Sequence, residues 1–189
     1  DSNGASNNIT ANQLAFTSGG SVSLDVNVTT VSSASATGSL DIADLGGGMA
    51  VTTASATTTL ALSADGGTLS IGAGGITSGG ALGQNISLTT TTSGGVSIGG
   101  NVGANLADVT INAVGAVNQT AGTVTGANVN LTIGANSTQS GGSLSVSGTL
   151  TLGGTGNFDL TQTNAVGTLS DNGADIAGNV TFTNGAALI

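Results

Sequence analysis

The sequence predicts an all-β fold, a single parallel β-helix (β-solenoid) built from about eight or nine coils of roughly 20–22 residues each. The first observation behind this prediction is an internal repeat. The segment Gln119–Thr125 returns as Gln139–Ser145 after 20 residues, and the strand beginning at Val129 returns at Leu150 after 21. Self-similarity at this period is typical of stacked repeats, in which each unit is one coil.

The second observation is a series of short strands in which apolar and polar residues alternate between turn residues. In such strands one side chain faces the core and the next faces outward. The starting residues lie 18, 20, 26, 23, 20, 21 and 30 positions apart, and we expect loops at the corners to take up the differences. The series begins at Val22, Leu40, Leu60, Ile86, Val109, Val129, Leu150 and Val180. A second series, at Leu69, Val96, Leu144 and Phe158, falls between these strands.

The third observation is the composition. The chain has 34 Gly, no Lys, Arg, Pro or Glu, and a hydrophobic fraction of 38%. Val, Ile and Thr favour strands, whereas Gly and Thr disfavour helix interiors. The ordered apolar pattern argues against disorder. A β-sandwich also uses short strands, but it would show more aromatic core residues and no period near 20. Tight corners between coils account for the many glycine pairs.

The charge excludes two classes of partner. Nine Asp and no basic side chain give a net charge of −9, so the chain has nothing with which to neutralise phosphates. We therefore expect no nucleic acid partner and no binding to anionic membranes. No apolar run reaches the roughly 20 residues needed for membrane insertion. No signal peptide is recognisable, so an exported protein would be represented by its mature chain or an internal segment.

No shift in composition divides the chain, which predicts one β-solenoid domain over residues 1–189. Neither end carries an amphipathic helix to cover the last coil, and the sequence ends in the apolar run 186–189. We expect either a segment of a longer chain or a subunit that stacks end to end with another copy through its exposed strand edges.

Several motifs resemble a known family. Gly115–Gly122 (GAVNQTAG) and Ser137–Gly142 (STQSGG) resemble the G-x-I-T-Q-x-G-G turns of filamentous-haemagglutinin-like exoproteins. Asn164–Leu169, followed by Gly178–Asn184, is similar to a second unit of those proteins. The resemblance covers most of residues 66–189. It implies a right-handed β-helix in a secreted bacterial surface adhesin, exported by a two-partner or autotransporter route. Host or surface glycans are candidate partners. The family's N-terminal secretion domain is not recognisable.

The side chains available for catalysis are few. His, Cys, Lys, Tyr, Glu and Arg are absent, so no Ser can be activated by a base. Paired carboxylates can cleave glycosidic bonds, and the candidate pairs are Asp41 with Asp44 and Asp171 with Asp175. The chain lacks the aromatic and cationic groups that hold sugars, and we predict no enzymatic activity and no organic cofactor.

One turn has the composition of a weak calcium site. Asp171, Asn172 and Asp175 surround Gly173 and offer oxygen ligands of the kind that Ca²⁺ prefers. The same residues are ordinary turn formers, and both interpretations stay open. Asn118 and Asn136 lie in Asn-x-Ser/Thr sequences near predicted corners and are the candidate glycosylation acceptors.

Rows of the form Thr-x-Thr can bind ice when they stack on one flat face of a solenoid. The four rows, at 123–125, 149–151, 161–163 and 181–183, are not spaced to share a face. The sequence therefore favours a non-enzymatic structural segment of a secreted adhesin or extracellular filament, forming a stiff, protease-resistant rod. The alternative is a binding module for ice, glycan or calcium-dependent recognition displayed on the solenoid.

Overall fold

The computed structural model describes residues 9–173 and 176–188, and within these it contains seventeen parallel-paired β-strands and no helix. The predicted all-β solenoid is confirmed. No helix long and apolar enough to cross a membrane occurs in the described ranges. The strands are β1 (Ile9–Ser18), β2 (Val22–Ala36), β3 (Leu40–Asp44), β4 (Met49–Ala56), β5 (Leu60–Asp65), β6 (Leu69–Thr77), β7 (Ile86–Thr91), β8 (Val96–Ile98), β9 (Val102–Gly103), β10 (Val109–Ala113), β11 (Val117–Gln119), β12 (Thr123–Gly126), β13 (Val129–Ile133), β14 (Ser137–Gln139), β15 (Ser143–Gly154), β16 (Phe158–Asp171) and β17 (Val180–Asn184).

Each coil contributes to three stacked columns of strands, which we call the first, second and third faces. The first face runs through Val22, Leu40, Leu60, Ile86, Val109, Val129, Leu150 and Leu169. The second face runs through Met49, Leu69, Val96, Val117, Ser137, Phe158 and Val180. The third face runs through Phe16, Ala34, Ala54, Ile76, Val102, Val124, Leu144, Asn164 and Asn184. These nine levels correspond to about nine turns, which agrees with the predicted number.

Two strands lie on faces other than those that the spacing predicted. Val180 pairs with Phe158 on the second face, and the eighth strand of the first face begins at Leu169 instead. Leu144 was grouped with the second series but pairs with Val124 on the third face. The reason is that every coil carries three strands of similar composition. The period along the sequence fixes the coil length, but it does not identify the face on which a strand lies.

The core is formed by the inward side chains of all three faces. In β3, Leu40 and Ile42 are buried whereas Asp41 between them is exposed. The same alternation continues through most strands, and buried Val, Leu, Ile and Ala line the axis. Because side chains alternate with a period of two, a slip of one residue would turn this whole set toward solvent. Apolar burial therefore determines which side chains of each strand point into the core.

Glycine is required at corners where successive coils approach closely. Gly122 and Gly142 have φ angles of 73° and 78°, a region that L side chains rarely adopt. A Cβ on Gly142 would lie 2.3 Å from the carbonyl oxygen of Gly122. A Cβ on Gly122 would lie 2.3 Å from the carbonyl oxygen of Gly100. The corner after the second face is thus a stack of backbone on backbone that has no room for a side chain.

The first and last described coils bury their apolar side chains less completely than the inner ones. Leu14 and Phe16 at one end, and Leu169 and Phe182 at the other, are only partly buried although they pack against the core. An inner coil is covered by described neighbours on both sides, whereas these side chains have a described neighbouring coil on one side.

Candidate functional site

The structure does not bring Asp41 and Asp44 together as an acid pair. Asp41 is exposed on the outer side of β3, where its Oδ2 accepts a 3.4 Å hydrogen bond from the Ser23 hydroxyl. Asp44 is 2% exposed. Its Oδ1 accepts a 3.1 Å hydrogen bond from the backbone N–H of Val28. Since one carboxylate faces solvent and the other is enclosed, the two cannot act on the same substrate bond.

Burial determines the protonation behaviour of Asp44. Loss of solvation raises the pKa of this carboxyl above its ordinary value, and hydrogen bonds from the backbone N–H groups of Val28 and Gly46 oppose that rise. Asp44 therefore stabilises the fold most when it is protonated. A buried carboxyl that is satisfied by backbone donors, with no opening to a substrate, is a structural group.

The candidate calcium turn is described only in part. Asp171 and Asn172 are exposed, and Oδ1 of Asp171 accepts a 2.9 Å hydrogen bond from the N–H of Gly173. The carboxamide of Asn172 lies against the Cα of Gly153 in the preceding coil. Asp175 lies outside the described residues, as does the proposed pair of Asp171 with Asp175. Among the residues that are described, no three acidic side chains cluster closely enough to hold a metal, and calcium binding at this turn stays a prediction.

The most extensive polar feature lies inside the solenoid and was not predicted. Three side-chain amides, Gln119, Gln139 and Asn164, are 4%, 3% and 1% exposed and are hydrogen-bonded across successive coils. We call them the amide ladder. Gln139 Nε2 donates to Gln119 Oε1 at 2.9 Å and to Asn164 Oδ1 at 2.8 Å. Asn164 Nδ2 in turn donates to Gln139 Oε1 at 3.0 Å.

The ladder also satisfies backbone groups at the corner after the second face. Gln119 Nε2 donates to the carbonyl oxygens of Gly122 and Ser143 at 2.9 and 3.0 Å. Asn164 Oδ1 accepts the N–H of Leu144 at 2.8 Å. Buried amides are costly unless they are hydrogen-bonded, and these are. The side chains therefore bind the corner of one coil to the strand of the next.

The alternation in β11 contained the signal for the ladder. In Val117-Asn118-Gln119, Val117 is buried and Asn118 is exposed, so the period of two places Gln119 inward. Its neighbour in the previous coil is the buried Ile98. The resemblance to the turns of a known family places Gln119 within a turn. In the structure Gln119 is the last residue of β11, its side chain is buried, and the corner begins one residue later.

Asparagines also connect successive coils at the outer corners. The Oδ1 atoms of Asn136 and Asn157 accept the backbone N–H groups of Asn157 and Asn179 at 2.9 and 2.7 Å. Asn118 accepts the N–H of Thr138 at 3.1 Å in the same way. Asn118 and Asn136 are both exposed, and their role as glycosylation acceptors stays a prediction.

The third face has a neutral outer surface. The outward positions that follow the core residues of this face form a row of small side chains, in register from coil to coil. The row consists of Thr17, Ser35, Ser55, Thr77, Gly103, Thr125, Ser145 and Ala165. No Asp of the described ranges lies in the third-face stretch of a strand, whereas Asp25, Asp41 and Asp159 lie in first-face or second-face stretches.

The Thr-x-Thr rows are distributed as their spacing predicted. Thr123–Thr125 lies on the third face, Thr149–Thr151 on the first and Thr181–Thr183 on the second. They do not combine into one threonine surface. The outward row of the third face mixes Ser and Thr with Gly103 and Ala165, so its hydroxyl groups do not form a continuous ladder.

Two cavities accompany these features. An internal cavity of about 10 Å³ lies beside the amide ladder and is lined by Gln119, Ser137 and Phe158 among other residues. An open groove of about 640 Å³ follows the corner between the third and first faces. It runs from Leu106 past Thr125 and Ser145 to Ala187. Shallow and uncharged, the groove is suited to contact with a surface rather than to enclosing a small substrate.

The fold and its surfaces define a parallel β-solenoid repeat protein of about nine coils. Comparison with known proteins adds nothing further, since no family model, no curated protein and no solved structure matches the chain.

Proposed function

We propose that this chain is a non-enzymatic structural segment of a secreted bacterial surface adhesin or extracellular filament of the filamentous-haemagglutinin-like type. Its role is to form a stiff rod that holds binding elements away from the cell. The single observation that supports this role most strongly is the continuous register of about nine coils on three faces. At roughly 4.8 Å per coil the stack spans about 40 Å.

The way in which the stack is connected supports rigidity. Backbone hydrogen bonds join each coil to the next on all three faces, and side-chain bonds from Asn118, Asn136 and Asn157 reinforce the corners. In a linear array of this kind each repeat contacts only its neighbours, so the rigidity of the whole depends on how firmly each coil is joined to the next. A rod is the shape that such connectivity favours.

The composition supports a location that is exposed to proteases. The chain has no Lys or Arg and therefore no trypsin-type cleavage site. Its strands are paired, and cleavage requires chain that is locally unfolded. We expect the folded protein to resist a broad-specificity protease such as proteinase K, and the protein unfolded in denaturant to be degraded.

Electron microscopy of the purified protein tests the rod directly. We expect rods about 40 Å long or multiples of that length where ends stack, together with survival of the intact 17.5 kDa chain under proteinase K. Isolated particles one rod long would contradict the filament version but not the adhesin segment. Rapid degradation of the native protein would contradict both versions.

Location is tested on cells of the source organism. An antibody raised against the folded rod should label intact cells, and external proteinase K should release fragments that retain the rod. Labelling only after permeabilisation would overturn the surface assignment. Addition of millimolar Ca²⁺ should leave the melting temperature unchanged if the rod is purely structural, whereas a rise in melting temperature would favour the calcium-dependent binding module.

A further inference from the structure

The largest exposed apolar side chains lie at one place on the rod. Leu82 and Leu106 are 86% and 63% exposed. Both belong to loops that follow third-face strands, after β6 and β9 respectively. The two loops stack on each other, because the N–H of Leu106 donates to the carbonyl of Gly80 at 3.0 Å. We call residues 80–83 and 104–107 the leucine ledge.

The ledge is an addition to the coil. Along the first face, neighbouring coils begin 20 residues apart from Leu40 to Leu60 and from Val109 to Val129. The steps that contain the ledge are longer, 26 residues from Leu60 to Ile86 and 23 from Ile86 to Val109. The extra residues project Leu82 and Leu106 into solvent. Exposed leucines in an ordered insertion are typical of a contact surface.

The ledge and the groove occupy the same edge of the third face. The ledge lies beyond the fourth and fifth levels of the face, and the groove runs from Leu106 along the fifth to ninth levels. The groove floor includes the buried Val146 and Val166, and its rim carries Ser145 and Ala165. Protruding apolar side chains and an adjacent uncharged groove are complementary in shape and chemistry.

We propose that the third face is a lateral interface between two copies of this chain, arranged antiparallel about a two-fold axis near Val124. The axis lies along the strand direction of the third face, perpendicular to the long axis of the rod. Rotation about it places the ledge of one copy in the groove of the other. The same contact is then made twice, as two-fold symmetry requires. A parallel arrangement would place the two ledges on opposite edges of the interface.

The distribution of charge identifies the partner as a second copy. The net charge of −9 opposes lateral association through surfaces that carry Asp. The described third-face stretches of the strands carry none, and their outward side chains are as small as Thr125, Ser145 and Ala165. Asp108 lies at the corner beyond the groove, where its carboxylate accepts a hydrogen bond from Asn128. Two such faces can therefore approach closely without repulsion.

The area is sufficient for a specific dimer. Seven overlapping coils at about 4.8 Å each, with strands about four residues wide, cover roughly 450 Å² per copy. The ledge and groove add to this, giving a total of at least about 1,000 Å², which is the lower limit for a biological interface. The proposal deepens the rod proposed above, since it states how rods associate sideways.

Sedimentation equilibrium of the purified full chain tests the interface. We expect a dimer of twice the 17.5 kDa chain mass. The double variant Leu82→Ser/Leu106→Ser and the single variant Ser145→Asp should each raise the dissociation constant by about tenfold or more, the latter because it places an unpaired carboxylate against the leucine ledge of the other copy. The matched controls are Val114→Ser, an exposed apolar residue at another corner, and Thr110→Asp on the first face. Both controls should stay within about twofold of the parent protein.

The outcomes separate this proposal from the rod itself. A chain that is monomeric up to about 1 mM, or a dimer that is equally sensitive to the control variants, would overturn the lateral interface and leave the rod untouched. A dimer insensitive to all four variants would indicate end-to-end stacking and would also overturn it. The chain has no Cys, so disulfide cross-linking of variants with one introduced Cys reports the relative orientation of the two copies. Thr125→Cys should cross-link to itself and Thr17→Cys should not, whereas cross-linking of both would contradict the antiparallel arrangement.

Discussion

The two halves of the core are filled with different chemistry. In the half from Val22 to Ala113, almost every inward side chain is aliphatic, as in the second-face column of Val31, Val51 and Ile71. In the half from Val117 to Asn184, the corresponding columns include the amide ladder of Gln119, Gln139 and Asn164. We call these the apolar half and the amide half.

The difference between the halves shows that burial and register are fixed by separate interactions. Aliphatic neighbours such as Leu40 and Leu60 are interchangeable, so apolar burial rewards any pairing that keeps the alternation. An amide is satisfied only when its particular donors and acceptors are opposite it. The apolar half therefore depends on packing for its stability, and the amide half depends on a hydrogen-bonding network that accepts one register.

The largest effect is expected from Asn164→Leu, which replaces the most connected amide by an aliphatic side chain. Gln139, the N–H of Leu144 and the carbonyl of Thr183 would each lose a buried partner. The loss should be about 3–5 kcal/mol, because each unsatisfied buried group costs about 1–3 kcal/mol. Guanidinium denaturation followed by circular dichroism measures it.

The control for Asn164→Leu is the conservative change Ile42→Leu in the apolar half, which should cost less than about 1.5 kcal/mol. If the two variants were equally stable, the proposed difference between the halves would be wrong.

The next effect is expected from Gly142→Ala at the corner that the amide ladder supports. The new Cβ would meet the carbonyl oxygen of Gly122 at 2.3 Å, and the φ of 78° is unfavourable for alanine. We expect a loss of about 2–3 kcal/mol, from backbone strain together with the clash. Gly20→Ala is the matched control, because nothing lies within 4 Å of its Cβ position. A melting temperature for Gly142→Ala equal to that of the control would show that the corner can relax.

A double-mutant cycle on Gln119→Ala and Gln139→Ala measures the coupling within the ladder. The two amides share the 2.9 Å hydrogen bond from Gln139 Nε2 to Gln119 Oε1, so the single losses should be non-additive by about 1 kcal/mol. The same cycle with Val31→Ala in place of Gln139→Ala should be additive, since Val31 lies several coils away. Additive stability losses in both cycles would show that the ladder is not a cooperative unit.

The smallest effect is expected from Asp44→Asn, which changes a buried polar group of the apolar half. Burial raises the pKa of Asp44 above its ordinary value. Its stabilising contribution is therefore complete at pH values below the ordinary pKa and is lost as the pH rises through the raised one. Asn imitates the protonated form and keeps an acceptor for the N–H of Val28.

The Asp44→Asn variant should match the parent protein near pH 3 and be more stable at pH 7, by less than about 1 kcal/mol. Melting temperatures across this range give the comparison. Asp41→Asn controls for loss of one negative charge from the same strand. A gain in stability for Asp44→Asn that is larger at pH 3 than at pH 7 would contradict the raised pKa of Asp44.

The sequence was sufficient for the coil length and most strands, because the copy of Gln119–Thr125 at Gln139–Ser145 coincides with hydrogen-bonded register in the structure. It was insufficient for the faces. Val180 was placed with Leu150, although Leu169 is the neighbour of Leu150. Three strands of the same composition recur in every coil, so only pairing in space distinguishes them.

Candidate sites were harder to predict for a related reason. Residue type alone pairs Asp41 with Asp44, but alternation places one outside and the other inside. Residue type also gives no indication that Gln119, which is polar, is buried. Residue type predicts exposure only on average. The position within the strand decides which way the side chain points, and this was readable from Val117-Asn118-Gln119 itself.

The stacked coils also have a mechanical consequence. Hydrogen bonds between coils run along the axis of the rod. Tension that pulls on a chain end along this axis therefore breaks the hydrogen bonds of the terminal coil before those of the next coil. The rod should therefore lengthen by peeling, one coil at a time, and each step should release about 20 residues, or roughly 70 Å of extended chain. Because the amide half adds buried side-chain hydrogen bonds between successive coils, coils beyond Gln119 should peel at higher force than those before it.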